Sequence, residues 1–196
     1  MSTPITSGAV NWTTPVTIGS NGLVTSTDLN ALNYDAEFLY TKPYSAVFNT
    51  AASTSYGNGN GLFTSNTSVI SNTPGSGAIT FSAGTWTVPL TGLYRFTLNL
   101  DFGTTGSAVS AGATLNLLGA TGGTVSFLTP AIVTNTSLAT GISFSLIYPM
   151  SATASATYPH TASFNFTSSG AVPVLGGTSP YKSFATVEYL GNNANY

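Results

Sequence analysis

The chain has 196 residues, enough for one full domain and an appendage. Only 4% of them are charged, three Lys or Arg against five Asp or Glu, for a net charge of -2, where an ordinary soluble domain carries about 25%. Three scattered cations cannot neutralise a run of phosphates, which excludes nucleic acid and an anionic membrane surface as partners. Hydrophobic residues reach 42%, but they are interleaved with Ser, Thr, Asn and Gly and form no span of membrane length. Cysteine is absent, so there is neither a disulfide nor a thiolate metal site.

Residues 1–24 are rich in Thr, Ser, Gly and Asn, with Trp12, Val16 and Ile18 as sparse apolar points. They read as an extended arm with Trp12 as its docking residue. The start, Met1 to Gly8, has no basic region followed by an apolar one, so no secretory signal is expected.

Residues 26–42 are expected to form the one helix. Thr25-Ser-Thr-Asp28 fits a capping box, and Pro43 stops the run. Leu29, Leu32, Ala36, Leu39 and Tyr40 share one face at helical spacing, while Ala31, Tyr34 and Phe38 make a second apolar face. Two apolar faces imply a helix held between its own domain and another protein. Residues 1–43 are thus an arm and anchor helix, with Trp12, Leu29, Leu32, Tyr34, Ala36, Phe38, Leu39 and Tyr40 as partner-binding candidates.

Residues 44–196 read as a single all-β domain. Strands are expected at 44–51, 62–65, 67–72, 77–82, 85–90, 93–103, 112–119, 123–129, 137–148, 153–158, 161–167 and 182–190, separated by turns rich in Gly and Pro. The strongest signal is the alternation Trp86, Val88, Leu90, then Tyr94, Phe96, Leu98, Leu100 and Phe102, with Arg95, Thr97, Asn99 and Asp101 between them. Alternate side chains of a strand point to opposite faces, so one face meets a core and the other meets water or a neighbour. Many short strands at regular spacing imply a sandwich or barrel.

Catalytic chemistry finds no constellation. His160 is the single histidine, beside Pro159, and no Gly-x-Ser-x-Gly elbow accompanies it. Of the five carboxylates, Asp28, Asp35 and Glu37 lie on the helix, and Asp101 and Glu188 are far apart in sequence. Asp101 with Asn99 is too sparse a ligand set for calcium. No catalytic residue, metal site or cofactor is expected. Tyr56, Tyr158 and Tyr181 lie in or near loops and are the candidates for contact with a sugar.

The order Phe81, Trp86, Val88, Pro89, Gly92, Tyr94, Phe96 resembles the core signature of the C1q and tumour-necrosis-factor family of trimeric jelly rolls, and residues 138–146 resemble a later core strand. The closing stretch 183–190 departs from that family's usual wording. The N-terminal order Trp12, Leu23-Val-Thr-Ser-Thr-Asp-Leu-Asn30, then a helix ending at Pro43, resembles the opening of structural proteins of tailed bacteriophages. These resemblances imply a jelly-roll fold, a homotrimer, and a non-catalytic place on the exterior of a virion assembled in the host cytoplasm. The role implied is capsid decoration or head fibre bound to the major capsid or another virion protein. The alternative is a tail or baseplate protein that binds a host receptor or surface glycan. In such a trimer Arg95, Asp101 and Tyr189 are the interface candidates, with Arg95 bonding Asp101 or Asn99 of a neighbour.

Overall fold

The computed structural model describes residues 26, 29, 30, 42–72, 77–119, 124–129, 131–135, 140–154, 157–177 and 183–191. Ser26, Leu29 and Asn30 are helical; the rest of the expected helix and the arm lie outside the described residues. The body is two antiparallel sheets.

The first sheet runs β3 (Thr67–Ser71), β1 (Tyr44–Asn49), β13 (Phe184–Gly191), β6 (Gly92–Phe102), β10 (Thr140–Met150). A ribbon of β2 (Ser53–Tyr56) and β12 (Val172–Leu175) joins it where Val174 pairs with Phe102. The second sheet runs β4 (Thr80–Ser82), β5 (Thr85–Thr87), β11 (Thr161–Ser168), β7 (Val109–Leu118), β8 (Thr124–Leu128), with β9 (Ile132–Thr134) on the start of β7. First and last strands lie side by side, and the chain crosses repeatedly between sheets. This is the order of a jelly roll.

The alternation in β6 decides the architecture. Tyr94, Phe96, Leu98, Leu100 and Phe102 are all fully buried and face the second sheet. Ala113, Leu115 and Leu117 of β7 and Phe164 and Phe166 of β11 answer from the other side. Trp86 stands edge-on to Phe164 at 6.0 Å and packs on Phe81 at 4.6 Å. Its indole N–H donates to Ser45 Oγ at 3.3 Å, tying β5 of one sheet to β1 of the other. A buried indole needs such a partner, and a buried serine supplies it at little volume.

Tight turns are closed by tyrosines. Tyr94 donates its hydroxyl proton to Leu90 O at 2.7 Å and accepts from Leu90 N at 3.2 Å. Tyr189, ring to ring with Tyr94 at 5.1 Å, donates to Thr91 O at 3.3 Å. Gly92 lies against the Tyr189 ring, where a Cβ would lie 2.7 Å from Tyr189 Cε2 and collide with Gly191 O. The β4–β5 turn puts Ala83 and Gly84 both at positive φ, the two-residue hairpin whose twist matches its strands.

Several expected strands are corrected. Residues 62–65 are a turn in which Leu62 and Phe63 plug the sandwich, 1% and 2% exposed, with Phe63 at φ 59°. Their apolarity reflects burial rather than pairing. Of the strand expected at 153–158, residues 153, 154, 157 and 158 form no ladder. Strands β2, β9 and β12 were not expected. Ser53–Tyr56 is polar, and Pro173 interrupts β12, which tolerates it because its ladder runs almost wholly to the marginal strand β2.

Gly92→Ala is expected to destabilise the fold by about 2–3 kcal/mol, since the Gly191 backbone and the Tyr189 ring must shift together. Gly106→Ala, with nothing near its Cβ position, should be neutral; paired denaturation curves check both. The tyrosines add a pH test. Burial pushes the phenols of Tyr56, Tyr94 and Tyr189 above their ordinary value of 10.0, partly offset at Tyr94 by the Leu90 hydrogen bond and at Tyr56 by Phe63 N–H. Native phenols then hold protons that the unfolded chain releases. These groups leave stability unchanged below about pH 10 and lower it above that. Denaturation midpoints measured at pH 8 and near pH 11 should show the fall, with buried phenolate absorbance arriving only on unfolding.

Candidate assembly face

The two outer faces of the sandwich differ in chemistry. On the second sheet, strand register lines up Thr80, Thr87, Thr161, Leu118 and Thr124 in one row and Ser82, Thr85, Ser163, Asn116 and Ser126 in the next. Short hydroxyls and amides fill most of these two rows, Leu118 is exposed among them, Leu128 and Val133 point outward on the β8 and β9 side, and among the described residues this face carries no charge. Asn116 and Ser126 bond each other at 2.8 Å.

On the first sheet the corresponding rows are Ser68, Phe48, Phe184, Asn99 and Ser143, then Ile70, Ala46, Thr186, Thr97 and Ser145, then Tyr44, Glu188, Arg95 and Ile147. Phe48 and Phe184 lie ring to ring at 6.1 Å. Leu93 and Leu190 extend the apolar area towards the end of the sheet. Every strand-borne charge among the described residues, Arg95, Asp101 and Glu188, stands on this face.

Arg95 Nη1 contacts Glu188 Oε2 at 3.3 Å across the β6–β13 ladder, with the side chains 47% and 36% exposed. Coulomb gain at that exposure is small. Burial and then the Glu188 charge raise the Tyr44 phenol above its ordinary range. Asp101 is six residues along β6, its backbone N–H donating to Ser183 Oγ at 3.0 Å.

The sandwich is also open along one margin. Phe144, Leu146 and Tyr148 of β10 and Phe127 of β8 face inward yet remain partly exposed, Phe127 meeting Tyr148 at 5.4 Å. Beside them Ile147, Leu128 and Val133 are exposed at 49%, 72% and 54%. Among the described residues only β6 pairs with the 11-residue strand β10, and no charged side chain of these residues guards its other edge.

The start of β1 and the end of β13 lie at one end of the sheet, where Tyr44 pairs with Glu188. Asn72 clamps the entry. Its Nδ2 donates to Lys42 O and its Oδ1 accepts from Tyr44 N at 2.6 Å. Tyr189 N–H adds a bond to Pro43 O at 2.9 Å. Whatever precedes residue 42 therefore departs from a fixed point.

Placement of the sequence candidates follows. Arg95 and Asp101 share the first-sheet face, but the partner of Arg95 within the chain is Glu188, which sequence reasoning did not pair with it. Tyr189 is corrected: it is 3% exposed and packs inward on Tyr94, so it belongs to the core. Tyr56 is corrected likewise. It is 5% exposed, stacks near Phe166 at 6.0 Å and accepts Phe63 N–H, leaving no ring free for a sugar. Tyr158 is partly buried in the loop joining β10 to β11, at the end where β1 starts and β13 finishes. Tyr181, Trp12, Leu32, Tyr34, Ala36, Phe38, Leu39 and Tyr40 lie outside the described residues. Leu29 is exposed on its helical turn. The aromatics missed in the sequence are Phe48 and Phe184. Their signal was the parity opposite to Val47 and Ala185, which puts them on the outer face.

His160 has its backbone bound to Leu118 and Val88, and its Nδ1 has no hydrogen-bond partner among the described residues. No group of three metal-ligating side chains occurs among the described residues. Among them too, no helix is long and apolar enough to cross a membrane.

No protein-family model matches the chain, and no curated protein matches it in sequence. Solved structures similar to it include the Eiger TNF of S. frugiperda, at TM-score 0.47 and 12% identity over 79% of this chain and 96% of that one. Murine APRIL is similar at TM-score 0.47 and 8% identity, over 76% and 100%. The vertex protein of PRD1 is similar at TM-score 0.47 and 17% identity, over 77% and 74%. The likeness concerns fold and nothing beyond it, and the jelly-roll assignment rests on strand order and pairing.

Proposed function

We propose that the protein is a bacteriophage virion component, a homotrimeric capsid decoration or head-fibre protein whose residues 1–43 anchor it to the major capsid or another virion protein. The role is binding and assembly, without turnover. The observation that carries this reading is the outer face of the first sheet, where Phe48 and Phe184 lie ring to ring and Ile70 and Ile147 are exposed on a nearly uncharged body. Apolar area of this kind gains by being covered.

Self-association has two complementary parts. One is the first-sheet face around Phe48 and Phe184. The other is the open margin between the sheets, with Ile147 of the first and Leu128 and Val133 of the second. Joining unlike surfaces is a head-to-tail contact, which closes into a ring instead of a two-fold dimer. The start of β1 at one end of the sheet, with Asn72 fixing the entry, supports an arm on one side and a projecting body on the other. The opening resembling phage structural proteins, Leu23 to Asn30, supports the location.

Two experiments test this. Phe184→Glu places a charge in the middle of the covered face and should convert the trimer to monomers without unfolding the chain. A variant lacking residues 1–43 should remain trimeric but no longer co-sediment with particles that the full chain decorates. A Phe184→Glu protein that stays trimeric would contradict the face, and a truncated protein that still decorates would contradict the anchor.

A further inference from the structure

Asparagine is followed by glycine at three places, Asn21, Asn58 and Asn60. Asn21 lies outside the described residues. Asn58 and Asn60 are exposed in one turn, and the fold holds them differently. The turn from Gly57 to Asn60 is closed twice: Asn60 N–H donates to Gly57 O at 3.2 Å, and Asn60 Oδ1 accepts from Gly57 N–H at 2.7 Å. Gly59, at φ 81°, takes the third position of this turn, where glycine is favoured. Its N–H donates to Phe166 O at 2.8 Å, and Asn58 Oδ1 accepts from Ser168 N–H at 3.2 Å. Both carboxamide oxygens thus accept a backbone N–H, and the difference lies in the nitrogen that follows. Gly61 faces Asn165 across an isolated bridge whose two hydrogen bonds belong to its neighbours. Asn60 O accepts from Phe166 N–H and Leu62 N–H donates to Phe164 O, each at 2.8 Å. The Gly61 N–H itself has no hydrogen-bond partner among the described residues.

We propose that Asn60 is a site of spontaneous deamidation in the folded chain, with Gly61 N as the nucleophile, and that Asn58 is spared. Hydroxide takes the Gly61 amide proton, and the nitrogen bonds to Asn60 Cγ. Negative charge collects on Oδ1, where Gly57 N–H already points. The Cγ–Nδ2 bond then breaks, and ammonia leaves with a proton from water. Glycine, lacking a Cβ, permits the close approach. Water opens the resulting cyclic imide. Breaking its N–Cγ bond gives aspartate, and breaking its bond from N to the main-chain carbonyl carbon gives isoaspartate. Either product adds a carboxylate to a chain with five acidic residues. Isoaspartate also lengthens the backbone by a methylene and turns the carbonyl that accepts Phe166 N–H into a free carboxylate. That stretch leads directly into Leu62 and Phe63, which plug the sandwich. Aspartate keeps the turn, since its Oδ1 still accepts from Gly57, whereas isoaspartate unseats the plug.

Peptide mapping of the full chain tests it. Folded protein and protein in denaturant are held side by side at mildly alkaline pH and digested at low pH. Mass spectrometry then locates each conversion and separates isoaspartate from aspartate by fragmentation. In the folded chain Asn60 should convert roughly tenfold faster than Asn58, the factor expected when one attacking N–H must first give up a hydrogen bond. In denaturant the two should convert at similar rates, because only the fold sets them apart. Gly61→Ala, whose added Cβ meets only the Thr64 methyl group, should slow conversion at Asn60 and leave Asn58 unchanged. Equal rates in the folded chain, Asn58 converting first, or an Asn60 that converts only in denaturant would overturn the site. For the consequence, Asn60→Asp should unfold at the same denaturant midpoint as the parent, and the isoaspartate fraction of aged protein at a lower one. An isoaspartate fraction as stable as the parent would overturn the unseating of the plug.

Discussion

One strand with one face committed to the core constrains the rest of this molecule. In β6 five consecutive inward side chains, Tyr94 to Phe102, are closed to solvent, and the strand is paired on both edges, to β10 along its whole length and to β13. A one-residue slip would turn five large apolar groups outward, at roughly 1.5–3 kcal/mol each. Register is therefore fixed, and with it the partners on the outer face. Glu188 meets Arg95, and Phe184 meets Asn99, because Val187 must meet Phe96 on the other side. The chemistry of the outer face is the reverse side of the core.

The near absence of charge gives that face its consequence. A protein that keeps soluble by charge can leave apolar side chains uncovered singly. This chain has few charges, and among the described residues its strands carry three, gathered on the face that also holds Phe48 and Phe184. The outer face of the second sheet is largely threonine, serine and asparagine, which suit a β-strand and bond to water, with Leu118, Leu128 and Val133 uncovered towards β8 and β9.

Much of this was legible in the sequence, for a physical reason. Long strands with a buried face announce themselves by period two, so β6, β10, β11 and β13 could be read directly, as could the jelly-roll class. Short strands hold no such pattern. Ser53–Tyr56 has one apolar residue, and its burial depends on Phe166, 110 positions away. Leu62 and Phe63 misled in the opposite direction, because hydrophobicity reports burial and cannot distinguish a plug from a strand. The outward placement of Arg95 and Asp101 followed from parity. Parity also held the correct answer for Tyr189, which shares the side of Val187, but a tyrosine near the chain end invites a surface reading. The Arg95–Glu188 contact spans 93 positions and depends on β13 lying beside β6, which only the topology supplies. Of the anchor residues, all except Leu29 lie outside the described residues.

The central claim is that the first-sheet face is covered by other copies of the chain. It is tested most directly by the mass of the full-length protein in solution, measured by light scattering across a range of dilutions at physiological salt. The account expects three times the chain mass, persisting to low concentration. A single chain mass at every concentration, with the fold intact, would contradict it.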